Sequence, residues 1–297
     1  MKKTLAMMTA AVMVAGALAG CGSSSSTPVA TTAEATTAAA TEAATTEVAT
    51  TEAGDTAAAT EGTVKTPSGK FTVGFDQEFP PMGFVGDDGQ FTGFDLDLAK
   101  EVASRLGLEF VPQPINWDAK DMELDSGNID CIWNGFTMQG REDAYTWVGP
   151  YMANNQVFVV NADSDIASKA DLAGKAVEVQ KDSSGLAALQ GDAELSASFG
   201  SMTEVADYNT ALMDLESGAC DAVCMDSIVA GYQIKSSGKD MKILDDTLSA
   251  EEYGIGFKKG EDELAKAVYD TLMEMKDDGT VAKISNDWFG SDVFTLK

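Results

Sequence analysis

Apolar and polar positions along this chain change period several times, and each change marks an element. From Lys70 to Phe75 they alternate, the pattern of a half-buried strand. Phe79-Pro-Pro-Met-Gly83 and Gly86-Asp-Asp-Gly89 follow as turns. Phe94, Leu98, Val102 and Leu106 then recur every fourth residue with Gly107 at the stop position, which predicts an amphipathic helix. A strand at Glu109 to Pro112 completes a strand–helix–strand order, which argues for a parallel α/β unit. Further strands are expected at 129–133, 156–160, 176–179, 221–225 and 253–257. A second apolar stripe, Leu264, Val268, Leu272 and Met275, predicts a helix ending at Gly279, and Ile284 to Phe289 closes the chain.

The pattern contains an internal echo. Met122-Glu-Leu-Asp-Ser-Gly-Asn-Ile-Asp130 resembles Met213-Asp-Leu-Glu-Ser-Gly-Ala-Cys-Asp221, and 91 residues separate Ser126 from Ser217. Each copy reads as a helix ending at Ser-Gly, followed by an acidic residue that enters an apolar strand. That period is too long for a solenoid. It suits two similar α/β lobes, although two ordinary helix ends would look alike by coincidence.

The first 66 residues carry no such pattern. Lys2 and Lys3 precede an apolar run from Leu5 to Leu18 that ends in Leu18-Ala-Gly-Cys21. This resembles a lipoprotein leader, cleaved before a cysteine that carries a diacylglycerol; an uncleaved spanning helix is the alternative, but the run is short for one. Residues 1–20 are therefore expected to be a signal peptide and Cys21 the lipid attachment site. Residues 21–66 collapse to Ala, Thr, Ser and Glu, a composition that cannot build a core, and read as a disordered tether reaching roughly 35–40 Å. An adhesive stalk is the competing reading.

Charge narrows the function. The chain carries 48 acidic and 20 basic residues, a formal net charge of -28, and no histidine. Phosphate recognition needs a basic face, so nucleic acid is excluded as a partner, and direct docking on anionic lipid is disfavoured. Absent histidine removes the commonest general base and metal ligand. No metal or other cofactor is expected. Cys220 and Cys224 lie four apart in a strand-like stretch, about 13 Å along an extended backbone, too far for a bridge; with Cys131 they read as small buried hydrophobes.

Only two arginines occur, and Arg141 sits in the loop Gly135-Phe-Thr-Met-Gln-Gly-Arg141, just after an apolar strand. A guanidinium matches a carboxylate with two parallel hydrogen bonds, so a fixed anion at this loop is one reading. A surface ion pair with Glu142 or Asp143 is the other. Gln180-Lys-Asp-Ser-Ser-Gly185 precedes an apolar helical stretch, whose first N–H groups favour an anion. Asp226 falls at the carboxyl end of a strand, where open α/β sheets place ligands, unless it merely caps the helix that starts at Ser227.

Taken in order, these segments resemble the extracytoplasmic solute-binding proteins of polar amino-acid ABC importers. The resemblance rests on Asp76-Gln-Glu-Phe-Pro-Pro, Gly93-Phe-Asp-Leu-Asp-Leu-Ala99, Trp117, the Ser126-Gly corner ending at Asp130, and the Gly135 to Arg141 loop. Gly149-Pro-Tyr151, Asp221 to Asp226, Tyr253-Gly-Ile and Asp287-Trp-Phe-Gly290 complete it. The Thr137 to Arg141 loop departs from the family by being one residue shorter.

The resemblance implies a two-lobed periplasmic-binding-protein-like fold. Two mixed-sheet α/β lobes are joined by two hinge strands, near Gln156–Asn161 and Glu251–Gly256, with the second lobe inserted into the first. The lobes would comprise residues 67–158 with 254–297, and 159–253. Carried over residue by residue, Arg141 clamps an α-carboxylate, helped by Gly135, Thr137, Ser183 and Ser184. Asp226 takes the α-ammonium from the opposite lobe, Phe79 and Trp117 sandwich the ligand's aliphatic part, and Asp76 faces its side chain. A polar or basic amino acid, or cystine, is the expected ligand. The importer's membrane subunits and ATPase are the expected partners, for a monomer tethered on the outer face of the cytoplasmic membrane.

Physical chemistry agrees with the assignment. An amino acid is a zwitterion, so its capture needs a cation and an anion at fixed separation, and either would be costly to bury unpaired. Placing them on two lobes makes binding favour the closed state. Two other classes remain on this fold: a dehydratase-like enzyme using Asp76 or Glu78 as acid or base, and a ligand-binding sensor acting through a separate signalling partner.

Overall fold

A computed structural model describes residue 66 and residues 68–297; Cys21, the leader and the tether up to residue 65 lie outside the described residues. The first α/β unit forms as expected: β1 (Lys70–Phe75), a small antiparallel sheet of β2 (Glu78–Phe79), β3 (Gly83–Val85) and β4 (Phe91–Thr92), then α1 (Phe94–Leu106) and β5 (Glu109–Pro114). Phe94, Leu98 and Val102 of α1 are fully buried, and Gly107 closes the helix in the left-handed region. A one-turn helix at Trp117–Ala119 leads into α2 (Lys120–Ser126), β6 (Cys131–Thr137) and the long β7 (Tyr145–Asn161).

Beyond β7 come β8 (Ala176–Gln180), α3 (Ser184–Gly191), α4 (Ala193–Ser198), β9 (Ser201–Val205), α5 (Tyr208–Ser217), β10 (Ala222–Asp226), α6 (Ser227–Ser237) and β11 (Met241–Ile243). The chain then returns through β12 (Ser249–Lys258) to α7 (Asp262–Asp277) and α8 (Thr280–Phe289). Hydrogen bonding runs in the order β5-β1-β6-β12-β7-β10-β8-β9, with β11 also on β7. Its two halves are the sheets of two α/β lobes. β1 pairs in parallel with β5 and β6, and β8 pairs in parallel with β9 and β10, while β7 and β12 are antiparallel to their neighbours.

β7 and β12 serve both lobes. Tyr145–Met152 ladders with Tyr253–Lys258 beside β6, whereas Gln156–Val159 ladders with β10. The two strands therefore cross between lobes at residues 153–155 and 249–252, a few residues before the expected segments. β7 is also much longer than the expected strand. β12 shifts register opposite Gly149-Pro150, between Tyr253 and Ile255, so the proline falls where the ladder skips.

The sequence echo has a structural counterpart. α2 and α5 each end at a left-handed glycine, Gly127 (φ 77°) and Gly218 (φ 78°), and each is followed by the same corner. Asp130 accepts from Thr72 N (2.6 Å) and its own N–H donates to Thr72 O (2.8 Å). Asp221 does the same with Ala176, at 2.8 Å in both directions. The acidic residue thus splices each helix–strand corner to the start of the neighbouring parallel strand. α7 ends at Asp277, and Gly279, with φ 84°, separates it from α8. The three cysteines among the described residues are free and buried.

Candidate functional site

The carboxyl ends of β6, β8 and β10 converge on a small cavity between the lobes. Phe79, Trp117, Gly135, Thr137 and Arg141 line it from one side, and Gln180, Ser183, Ser184 and Asp226 from the other. Eight of the nine expected ligand-binding residues therefore surround one space. The ninth, Asp76, lies just outside, in a wider cleft of about 950 Å³ that shares Trp117 with the inner cavity. The inner volume is only about 10 Å³, room for about one water, so entry of anything larger requires the lobes to part.

Arg141 pairs with neither Glu142 nor Asp143. Its Nη1 donates to Thr137 O (3.1 Å), Nη2 to Asp182 O (3.4 Å), and the guanidinium lies 5.0 Å from the Phe136 ring centroid. Among the described residues no carboxylate forms an ion pair with it. The shortened loop is held by Gln139, whose Oε1 accepts from Glu252 N at the crossing (2.8 Å). Gly135 has φ +58°, and a Cβ there would sit 2.9 Å from the Phe79 ring and 3.1 Å from Tyr253, so glycine is required.

Asp226 does not act as a helix cap: its side chain makes no capping hydrogen bond although α6 begins at the next residue. Instead Oδ1 accepts from Asn154 Nδ2 (2.6 Å) and Tyr253 Oη (2.8 Å), and Oδ2 from Tyr208 Oη (2.9 Å). Burial, and next the charge of Glu251, push its carboxyl up to about 7. Asp76 is raised to about 6, chiefly by burial, and accepts from Gln180 Nε2 across the cleft (2.7 Å).

The two serines differ. Ser183 Oγ is committed to capping α3, accepting from Leu186 N (3.1 Å) while donating to Gln180 O (2.7 Å). It can therefore serve a ligand only through the backbone of the helix start. Ser184 Oγ accepts from Thr137 Oγ1 across the cleft (3.2 Å). Phe79 and Trp117 face the cavity rather than simply filling the core: Phe79 packs 5.7 Å from Tyr208 of the other lobe, and Trp117 is half-buried against Phe136 (5.5 Å).

Several residues of the site were not singled out from sequence. Asn154, Gln156 and Glu251 lie on the crossing strands, Tyr208 and Tyr253 hold Asp226, and Lys120 reaches Asp182 in the other lobe. Asp95 is fully buried and fixes the Gly135 loop, accepting from Gly135 N (2.7 Å) and Tyr151 Oη (2.8 Å). The available signal was polar residues inside otherwise apolar strands, Asn154 to Gln156 above all.

Two lobes joined by two crossing strands, with a cation and an anion facing one cavity from opposite lobes, define a solute-binding protein. Residues 71–291 match the sequence profile of the bacterial extracellular solute-binding proteins, family 3, and the chain belongs to that family. It is 32% identical over 231 residues to the L-cystine-binding protein TcyJ of Escherichia coli K12, covering 76% of this chain and 84% of that protein. The L-cystine-binding protein TcyA of Bacillus subtilis 168 is 32% identical over 229 residues, 76% of this chain and 83% of TcyA. Among solved structures, it resembles a substrate-binding protein of an ABC uptake transporter from Streptococcus pneumoniae with bound histidine. That match has a TM-score of 0.74 at 34% identity and covers 77% of this chain and 95% of the other.

Proposed function

We propose that this protein captures a free amino acid outside the cytoplasmic membrane by closing its two lobes, and delivers it to an ABC importer. The observation that carries the reading is the pairing of Arg141 and Asp226 across one cavity. Arg141 has no carboxylate partner among the described residues, and Asp226 is surrounded by neutral donors and a second carboxylate. A zwitterion supplies the two missing charges at once. Arg141 takes the carboxylate with Thr137 and the start of α3, Asp226 takes the ammonium, and Phe79 and Trp117 flank the carbon skeleton.

The ligand's side chain would run towards Asp76 and the wider cleft, whose walls also carry Glu78, Asp118 and Asp207. That acidity disfavours Glu and Asp and supports a polar or basic amino acid, or cystine. The relatives' ligands agree with this choice, and those relatives are solute-binding proteins rather than enzymes. Cys21 would hold the mature chain on the membrane through its lipid, with residues 21–66 as tether and the folded body a monomer between membrane and importer.

A thermal-shift screen of the protein against the twenty amino acids and L-cystine tests the reading. A ligand at 100 times its dissociation constant stabilises by about 2.7 kcal/mol, or roughly 5–10 °C for a body of this size. One or a few basic or polar amino acids should give such a shift. A flat response to all of them would remove the amino-acid reading.

A further inference from the structure

We propose that Glu251, on the strand β12 that crosses between the lobes, is a positioning residue of the amino-acid site: it shares one amide with Asp226 and thereby couples capture of the ligand's ammonium to release of a proton. This rests on the amino-acid reading above. Asn154 Nδ2 donates to Asp226 Oδ1 and to Glu251 Oε1, each at 2.6 Å. One NH2 group thus spends both hydrogens on two carboxylates, whose accepting oxygens lie within about 5 Å of each other. The amide cannot flip away, because Asn154 Oδ1 accepts from Ser227 Oγ (3.1 Å).

Apart from Arg141, which lines the inner cavity opposite Asp226, the groups facing the pair are neutral. Gln156 of β7 donates to Glu251 Oε1 (2.8 Å), and Ser184 of α3 to the same oxygen (3.4 Å). Tyr208 of α5 and Tyr253 of β12 donate to Asp226, and Cys224 of β10 is a thiol whose pKa burial raises well above its ordinary value. Glu251 and Asp226 are 5% and 3% exposed. With no cation hydrogen-bonded to either carboxylate, burial and next the charge of Glu251 raise Asp226 to about 7, so Asp226 keeps a proton through part of the neutral range. An incoming ammonium supplies a positive charge beside Asp226, and its proton leaves to solvent. Glu251 also grips Ser184, which faces the inner cavity, so the crossing strand that reports lobe position touches both ends of the site.

Two measurements on the full chain test this. In the first, ligand-free, the side-chain carboxylates are titrated by carbon-13 NMR. The Asp226 midpoint, near 7 in the wild type, should move to lower pH by about one pH unit in Glu251→Gln, and Glu251→Asp should restore it. An unchanged midpoint in Glu251→Gln overturns the proposal. In the second, calorimetry with L-arginine and with L-cystine at pH 6.5 is run in phosphate and in imidazole buffer. Wild type should release a substantial fraction of a proton on binding, and Glu251→Gln markedly less. Equal proton release in the two overturns the coupling. Absence of any heat from both probes would count against the amino-acid reading itself, and the ligand-free titration would still decide whether Glu251 raises Asp226.

Discussion

Lys120 and Asp182 make the sharpest test of lobe closure. Lys120 lies on α2 in one lobe, and its side chain is 2% exposed, with the ammonium 5.4 Å from the Trp117 ring centroid. Its ionic partner across the cleft is Asp182, a residue of the β8–α3 loop with φ 55° and a side chain 51% exposed. Either Lys120→Met or Asp182→Asn deletes the same ion pair, but the two changes leave different remnants. Methionine keeps the apolar stem and leaves a half-exposed carboxylate that water can solvate, so about 1 kcal/mol is lost. Asparagine tolerates the left-handed backbone but strands a buried ammonium without a counter-charge, which costs about 2–3 kcal/mol even after discounting for exposure at the rim. Both costs fall on closure, because the pair forms only when the lobes meet. At 1.4 kcal/mol per tenfold, the ligand's dissociation constant should rise about fivefold in Lys120→Met and about 30- to 140-fold in Asp182→Asn. Titration calorimetry with the amino acid that gives the largest thermal shift measures both. Equal losses, or a larger loss in Lys120→Met, would refute the reasoning.

Acidity should stabilise the unliganded protein. Asp95 and Asp226 are raised to about 7 and Asp76 to about 6, burial being the first cause for all three. Raised folded-state values mean that their stabilisation is complete below about pH 4 and is lost as pH climbs through 6 to 7, by several kcal/mol in sum. Relief of self-repulsion among 48 acidic groups acts in the same direction. The unfolding midpoint by circular dichroism should therefore be higher at pH 5 than at pH 8; the opposite order would contradict the burial argument. Gly135→Ala should cost about 1–3 kcal/mol and weaken ligand binding, because its Cβ meets Phe79 and Tyr253 at a positive φ. Unchanged affinity in that variant would show that the loop moves freely.

Much of this molecule was legible because its signals are local. The four-residue spacing of Phe94, Leu98 and Val102 gives α1, and the paired Ser-Gly corners announce two related lobes before any coordinate is known. Arg141 and Asp226 could be singled out because their residue types are rare or oddly placed for their segments. Ala153–Asn155 fell just outside the expected crossing segment, because the point where a strand leaves one lobe's ladder for the other's is set by its partners in β12 and β10 rather than by its own pattern. Glu251, Tyr208 and Lys120 were invisible for the same reason: each acquires its role only from a partner in another element. Asp76 was placed in the site by resemblance, and the structure sets it against Gln180 beside the inner cavity rather than within it.

The central claim is that opposite charges on two lobes grip both ends of one zwitterion. The direct measurement is calorimetric binding of the best-bound amino acid beside its N-acetyl derivative and its methyl ester. The free amino acid should bind, while each blocked analogue, lacking one charge, should lose at least about 100-fold in affinity. An N-acetyl derivative or methyl ester that bound as tightly as the parent would contradict the pairing of Asp226 with the ammonium or of Arg141 with the carboxylate.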